Sequence, residues 1–202
     1  MGLNQLKLSP ESLNSPDRNI RKEFLLQVFQ SNEISNEEKI SILTKGLEDK
    51  HDSIRNLAIE YLADLYQKNT NFNFLDLLLP LLEKEPMWSV KYLILKKISK
   101  FNLDVSVHKN LILKLSHELK PQLRIASAEI FLSFPEEKQD DEVIDRLLEL
   151  WKDKDETVRK QLDIILLESK NPKIKATMED YAKKLAEKER KKKEIAGMFE
   201  GI

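Results

Sequence analysis

Asp49-Lys50-His51-Asp52-Ser53-Ile54-Arg55 (DKHDSIR) returns 104 residues later as Asp153-Lys154-Asp155-Glu156-Thr157-Val158-Arg159 (DKDETVR). Two acidic-to-basic heptapeptides so far apart are a catalytic constellation, a binding stripe or one structural unit used twice. The separation is close to three times 35, which argues for the repeated unit and sends the search to the chain before and between them. An apolar residue followed by Arg or Lys recurs five times, at Ile20-Arg21, Ile54-Arg55, Val90-Lys91, Leu123-Arg124 and Val158-Arg159. The basic residues are 34, 36, 33 and 35 positions apart. Three residues after each stand Phe24, Ala58, Ile94, Ser127 and Leu162, and seven after each stand Val28, Leu62, Ile98, Phe131 and Leu166. Those offsets draw one stripe, apolar except at Ser127, along each of five helices.

Six residues before each basic position the column reads Ser15, Asp49, Glu85, Glu118 and Asp153. Pro16, Pro86 and Pro121 fall near the first turn of the helix that follows, where a missing N–H costs little. A second amphipathic segment lies upstream in each unit after the first, at 37–48, 73–84, 107–118 and 140–152. Each unit is then a hairpin of two helices. A lone hairpin cannot bury its apolar faces, but stacked hairpins bury them against one another.

Composition agrees with this reading. The 202 residues include only 4 Gly and 7 Pro, with 41% hydrophobic and 34% charged residues summing to a net charge of −1. That mixture fits an all-helical protein with a real core and gives no global field to attract nucleic acid or an anionic membrane. The absence of cysteine removes disulfides, thiolate metal sites and cysteine nucleophiles. The start, MGLNQLKLSP, has neither the charged nor the apolar region of a signal peptide, and Leu6 stands where a myristoylation motif wants Ser or Thr. The run FNFLDLLLPLL at 72–82 is too short to span a bilayer and carries Asp76 and Pro80. The expectation is a cytoplasmic protein without a membrane anchor.

The D-x5-R column with regular spacing resembles the HEAT-repeat family over roughly residues 17–171. The resemblance implies an all-α fold, a right-handed α-α superhelix (HEAT-like solenoid) of about 4.5 helical hairpins with a C-terminal helix. Two departures stand out: the proline of the family's first helix appears only as a displaced Pro80, and the first unit has a shortened or missing first helix. The expected organisation is an N-terminal arm or partial helix (1–16), a repeat domain (17–171) and a charged C-terminal helix and tail (172–202).

The resemblance also implies that the second helices line a concave surface. Positions one, five and nine after each basic residue fall between the apolar offsets and face away from the core. They carry Lys22, Lys96, Lys100 and Lys160 against Glu60, Asp64, Glu129 and Glu168. A groove that tracks a phosphate backbone needs uncompensated Lys and Arg, so this balanced stripe points to a protein partner. Its predicted contacts are Asn56, Glu60, Tyr92, Lys96, Ile125 and Glu129, with Tyr92 and Ile125 as the apolar anchors. The basic column itself is expected to tie turns together by pairing with acidic residues of its own or the next repeat, at about 1 kcal/mol or less where the pair is part-exposed.

Other chemistry finds little support. His51, His108 and His117 fall at unrelated repeat positions without metal-ligand spacing. His117-Glu118 is similar to one His-Glu motif of deoxyhypusine hydroxylase, a HEAT-repeat di-iron enzyme, but that family needs several such motifs in paired positions. HEAT-like alkylpurine DNA glycosylases use aromatic and acidic residues on a basic face, and no such face is present here. Trp88 and Trp151 are expected to pack in the core. Bilin lyases are a third HEAT-repeat enzyme class, with nothing here to single them out. The expectation is a non-enzymatic adaptor or scaffold with no cofactor and no metal; the runner-up is a nucleic-acid-binding or base-excision protein of the HEAT-like glycosylase type, and a bilin-lyase-like enzyme comes third.

After Asn171-Pro172 the repeat stops. Ile174, Met178, Tyr181 and Leu185 continue an apolar phase that could cap the last repeat, and the lysine-rich KERKKKE follows. Beyond it, Ile195, Met198, Phe199 and Ile202 form a candidate docking motif for a partner or for self-association through the tail.

Overall fold

The stacked-hairpin reading predicts paired helices with turns at the acidic column, and a computed structural model of the chain contains them. It describes residues 9–68 and 71–199, without the side chains of Pro10, Leu185, Glu189 and 193–199. The described residues hold ten α-helices and no strand. They are α1 (Arg18–Gln30), α2 (Asn36–Gly46), α3 (Asp52–Lys68), α4 (Phe74–Lys84), α5 (Trp88–Lys100), α6 (Lys109–Ser116), α7 (Pro121–Ser133), α8 (Asp141–Trp151), α9 (Glu156–Leu167) and α10 (Pro172–Phe199). A 3-10 turn at Pro10–Asn14 stands where the first unit lacks its first helix.

Local chemistry fixes the helix starts. Asp17, Ser35, Asn73, Asp140 and Asp155 each accept a hydrogen bond from a backbone N–H of the first turn, which satisfies a donor the helix leaves open. Pro121 sits at the first position of α7. Asn102, the residue type most tolerant of a left-handed backbone outside Gly, takes φ 49° just after α5.

The chain forms two compact units, 1–103 and 104–202. In the first, α1 packs on α2 and α3, and α3 packs on α4 and α5. All offset-three and offset-seven positions in this unit are buried: Phe24, Val28, Ala58, Leu62, Ile94 and Ile98. Gly46 ends α2 where a side chain would crowd its neighbours, since a Cβ built there lies 3.1 Å from both Ala58 Cβ and Leu25 Cδ1. Tyr66, Phe72, Phe74 and Phe101 form an aromatic cluster, with the Tyr66 and Phe74 rings 5.1 Å apart.

In the second unit α6 and α7 pair, α8 and α9 pair, α7 packs on both α8 and α9, and α10 lies against α8 and α9. Ser127, Phe131, Leu162 and Leu166 are buried here. Ser127 Oγ donates to the Leu123 carbonyl, so its presence in the apolar column leaves no unmet donor. Ile174 is fully buried and Met178 half-buried, while Tyr181 is 49% exposed and meets Trp151 edge-on at 4.8 Å. The expected capping stripe of α10 therefore closes over Ile174 and opens by Tyr181; the side chain of Leu185 is not among those described.

Candidate protein-interaction surface

The basic column builds the repeat junctions. Its four arginines share one edge of contact, and three of them add a second. One edge is local: Nη1 donates to the carbonyl six residues earlier, Arg21 to Ser15 (2.6 Å), Arg55 to Asp49 (2.8 Å), Arg124 to Glu118 (2.9 Å) and Arg159 to Asp153 (2.6 Å). The other edge, Nε with Nη2, forks onto a carboxylate of the next repeat. Arg21 grips Asp49 at 2.6 and 3.1 Å, Arg55 grips Glu85 at 2.8 and 2.6 Å, and Arg124 grips Asp153 at 2.8 and 2.9 Å. Bidentate geometry of this kind is stronger and more directional than a point contact. The same carboxylates also accept from a backbone N–H two residues on: Asp49 from His51, Glu85 from Met87 and Asp153 from Asp155.

These pairs are more buried than the sequence suggests. Arg55 is 7% exposed and Glu85 3%. The estimate of 1 kcal/mol or less applies to part-exposed pairs and does not carry over to this one. Burial pushes the Asp49 carboxyl up, but hydrogen bonds from Arg21 and the His51 N–H and the Arg21 charge outweigh it and hold its pKa below the ordinary value. Asp153 is likewise pushed up by burial and brought down further by the Asp155 N–H and by Arg124.

Positions one, five and nine after each basic residue all escape the core. Lys22, Gln30, Asp64, Lys100, Lys160, Ile164 and Glu168 are exposed. The six predicted contacts are half-buried: Asn56, Glu60, Tyr92 and Lys96 in the first unit, Ile125 and Glu129 in the second. Glu60 accepts from Lys97 Nζ, and Lys96 and Glu129 also have partners. Asn56 Oδ1 is buried with no hydrogen-bond partner among the described residues. In the tail, the side chains of Ile195, Met198 and Phe199, and the whole of Ile202, lie outside the described residues.

Trp151 is in the core at 9% exposure, its indole N–H donating to Asp163 at 2.5 Å. Trp88 is not, and the expectation fails there: it is 37% exposed beside Met87 at 41%. The reason was present in the repeat. Trp88 stands three residues before the basic position, a column otherwise filled by Arg18, Asp52, Pro121 and Glu156 at the outward-facing first turn of each helix.

Sequence reasoning also missed ties outside the column. Arg146 Nε donates to Ser116 Oγ at 2.8 Å, Lys109 pairs with Asp140 and Glu142, and Lys39 donates to the Phe29 carbonyl at 3.0 Å. They occur once each, so no periodicity announces them. His51, His108 and His117 remain at a turn and at the two ends of α6. No three His, Asp or Glu side chains converge on a metal-sized site among the described residues.

The arrangement is an all-α helical-repeat solenoid. Two solved structures share the fold: a designed armadillo repeat protein in complex with the peptide (KR)4, and a computationally designed armadillo repeat protein for modular peptide recognition. Each is 18% identical, covers 85% of both chains and superposes with a TM-score of 0.54. No protein-family model matches the sequence, and no curated protein does. None of the described helices is long and apolar enough to cross a membrane.

Proposed function

We propose that this protein is a non-enzymatic interaction module that holds a partner protein on the outward-facing positions of the second helices of each unit. The observation that supports this reading is the division of those helices: offsets three and seven are buried in every repeat, and offsets one, five and nine are half-buried or exposed in every repeat. A stripe that is kept out of the core and balanced in charge suits a polypeptide better than a nucleic acid. The two structural neighbours, one bound to (KR)4 and the other designed for modular peptide recognition, add weight to a peptide-binding role. On the first unit Tyr92 is the anchor, with Asn56, Glu60 and Lys96 as polar contacts; on the second Ile125 is the anchor, with Glu129 as its polar contact; and Ile195, Met198, Phe199 and Ile202 are a further attachment point.

Panning a random peptide display library against the intact protein tests this. The expected result is a consensus whose affinity falls about tenfold or more in Tyr92→Ala/Ile125→Ala, the scale of a lost interface anchor, with an unchanged melting temperature. A consensus indifferent to that double substitution, or none at all, overturns the stripe.

A further inference from the structure

The arginine ladder ends with an open rung. Arg21, Arg55 and Arg124 each present Nε and Nη2 to a carboxylate of the following repeat. Arg159 makes the same local bonds, Nη1 to the Asp153 and Lys154 carbonyls at 2.6 and 3.0 Å. Its Nε and Nη2 have no acceptor among the described residues, because α9 is followed by α10 and not by another acidic turn. The local bonds still hold the guanidinium in the orientation that the other three use to grip a carboxylate.

Arg159 lines a groove of about 750 Å³ in the second unit, whose lining also includes Trp151 and Tyr181. Every carboxylate in its lining is already engaged. Asp153 is held by Arg124, Glu156 by Lys160 at 2.8 Å, and Asp163 by the Trp151 indole. The exposed Lys152 and Lys154 have no ion pair among the described residues. The Trp151 indole leaves the Asp163 charge in place, but Lys152, Lys154 and Arg159 outnumber it, so the groove keeps a net positive charge around one fork and an aromatic wall.

We propose that this groove binds an acidic segment of a partner protein, one Asp or Glu carboxylate of which takes the Nε–Nη2 edge of Arg159. The ladder supplies the chemistry, since the same edge takes a carboxylate at each of the three closed rungs described. Lys152 and Lys154 draw in flanking acidic residues, and the Trp151–Tyr181 wall accepts aliphatic stems. The groove includes neither Tyr92 nor Ile125 in its lining, so either proposal can fail while the other stands.

The test uses the full chain carrying Trp88→Phe, so that Trp151 is the one indole reporter, and two fluorescein-labelled dodecapeptides of alternating Glu and Ala or Gln and Ala. The glutamate peptide is expected to bind saturably and to quench Trp151, and the glutamine peptide to do neither. Arg159→Gln weakens binding about tenfold or more, and Arg159→Lys also weakens it, because an ammonium keeps the charge and loses the fork. Lys22→Gln, in the other unit, leaves affinity unchanged. Absence of saturable binding, equal affinity for the glutamine peptide, or an equal loss in Lys22→Gln overturns the site.

Discussion

Arg55 and Arg159 end the two copies of the same heptapeptide, and their immediate surroundings are nearly superimposable in chemistry. Each sends Nη1 back to the carbonyl of the aspartate six residues earlier. They part at the other edge. Arg55 forks onto Glu85, which lies 30 residues on in the next hairpin, while Arg159 meets no carboxylate at that edge among the described residues. The heptapeptide thus encodes half of a junction, the half that shapes its own turn. The second half belongs to the neighbour, and equal motifs carry unequal energetic roles according to whether a neighbour follows.

The largest consequence concerns Arg55. Removing it leaves Glu85, 3% exposed, with a charge and no cation to meet it. Arg55→Ala is expected to cost about 3 kcal/mol in urea-induced unfolding, the range for breaking a buried pair from one side. Removing both partners should cost less: Arg55→Met with Glu85→Leu recovers part of the loss, because no buried charge is stranded. A single-site loss no larger than that of Arg159→Ala would break the comparison, since the fork would then contribute nothing beyond the local edge.

The fold was legible because its signal repeats. Ten positions read at two offsets from the basic column are all buried, and fifteen read between them all stay out of the core, which a single helix could not have established. The acidic column was legible too, but the direction of its pairing was not. Sequence spacing is compatible with a carboxylate serving its own arginine, and only packing shows that its own arginine takes the carbonyl while the previous one takes the carboxylate. Trp88 was misread because large aromatics are expected inside, although its column elsewhere holds Arg, Asp, Pro and Glu. The open edge of Arg159 is invisible in sequence, for DKDETVR looks as complete as DKHDSIR.

The closed rungs also differ from the open one in how they respond to acid. Asp49 has a folded-state pKa held below its ordinary value. Its ionised form therefore contributes stability that is complete above the unfolded value of about 3.9 and is lost as pH falls through the lower folded value. Asp49→Asn is expected to lower stability by about 1 to 2 kcal/mol at neutral pH, with the gap to the parent narrowing below about pH 4. Denaturant titrations from pH 7 to pH 2 check it. A gap constant across that range would mean that the Arg21–Asp49 fork is not what the carboxylate contributes. Arg159→Ala removes no pairing with a carboxylate, so its smaller gap should stay flat over the same range.

The smallest effect is that of Arg159→Ala itself. The substitution removes two hydrogen bonds to carbonyls of its own turn and strands no buried charge, and the half-buried site lets water take over the Asp153 and Lys154 carbonyls. Its expected cost is below about 1 kcal/mol by the same urea measurement, the range of exposed polar interactions. The comparison with Arg55 sharpens if the cost is near zero, because the local edge then shapes the turn without stabilising it and the closed rungs owe their strength to the neighbour's carboxylate. A cost matching Arg55→Ala would reverse that assignment. The carbonyl edge would be the principal contributor in every repeat, and the fork, open or closed, would be secondary.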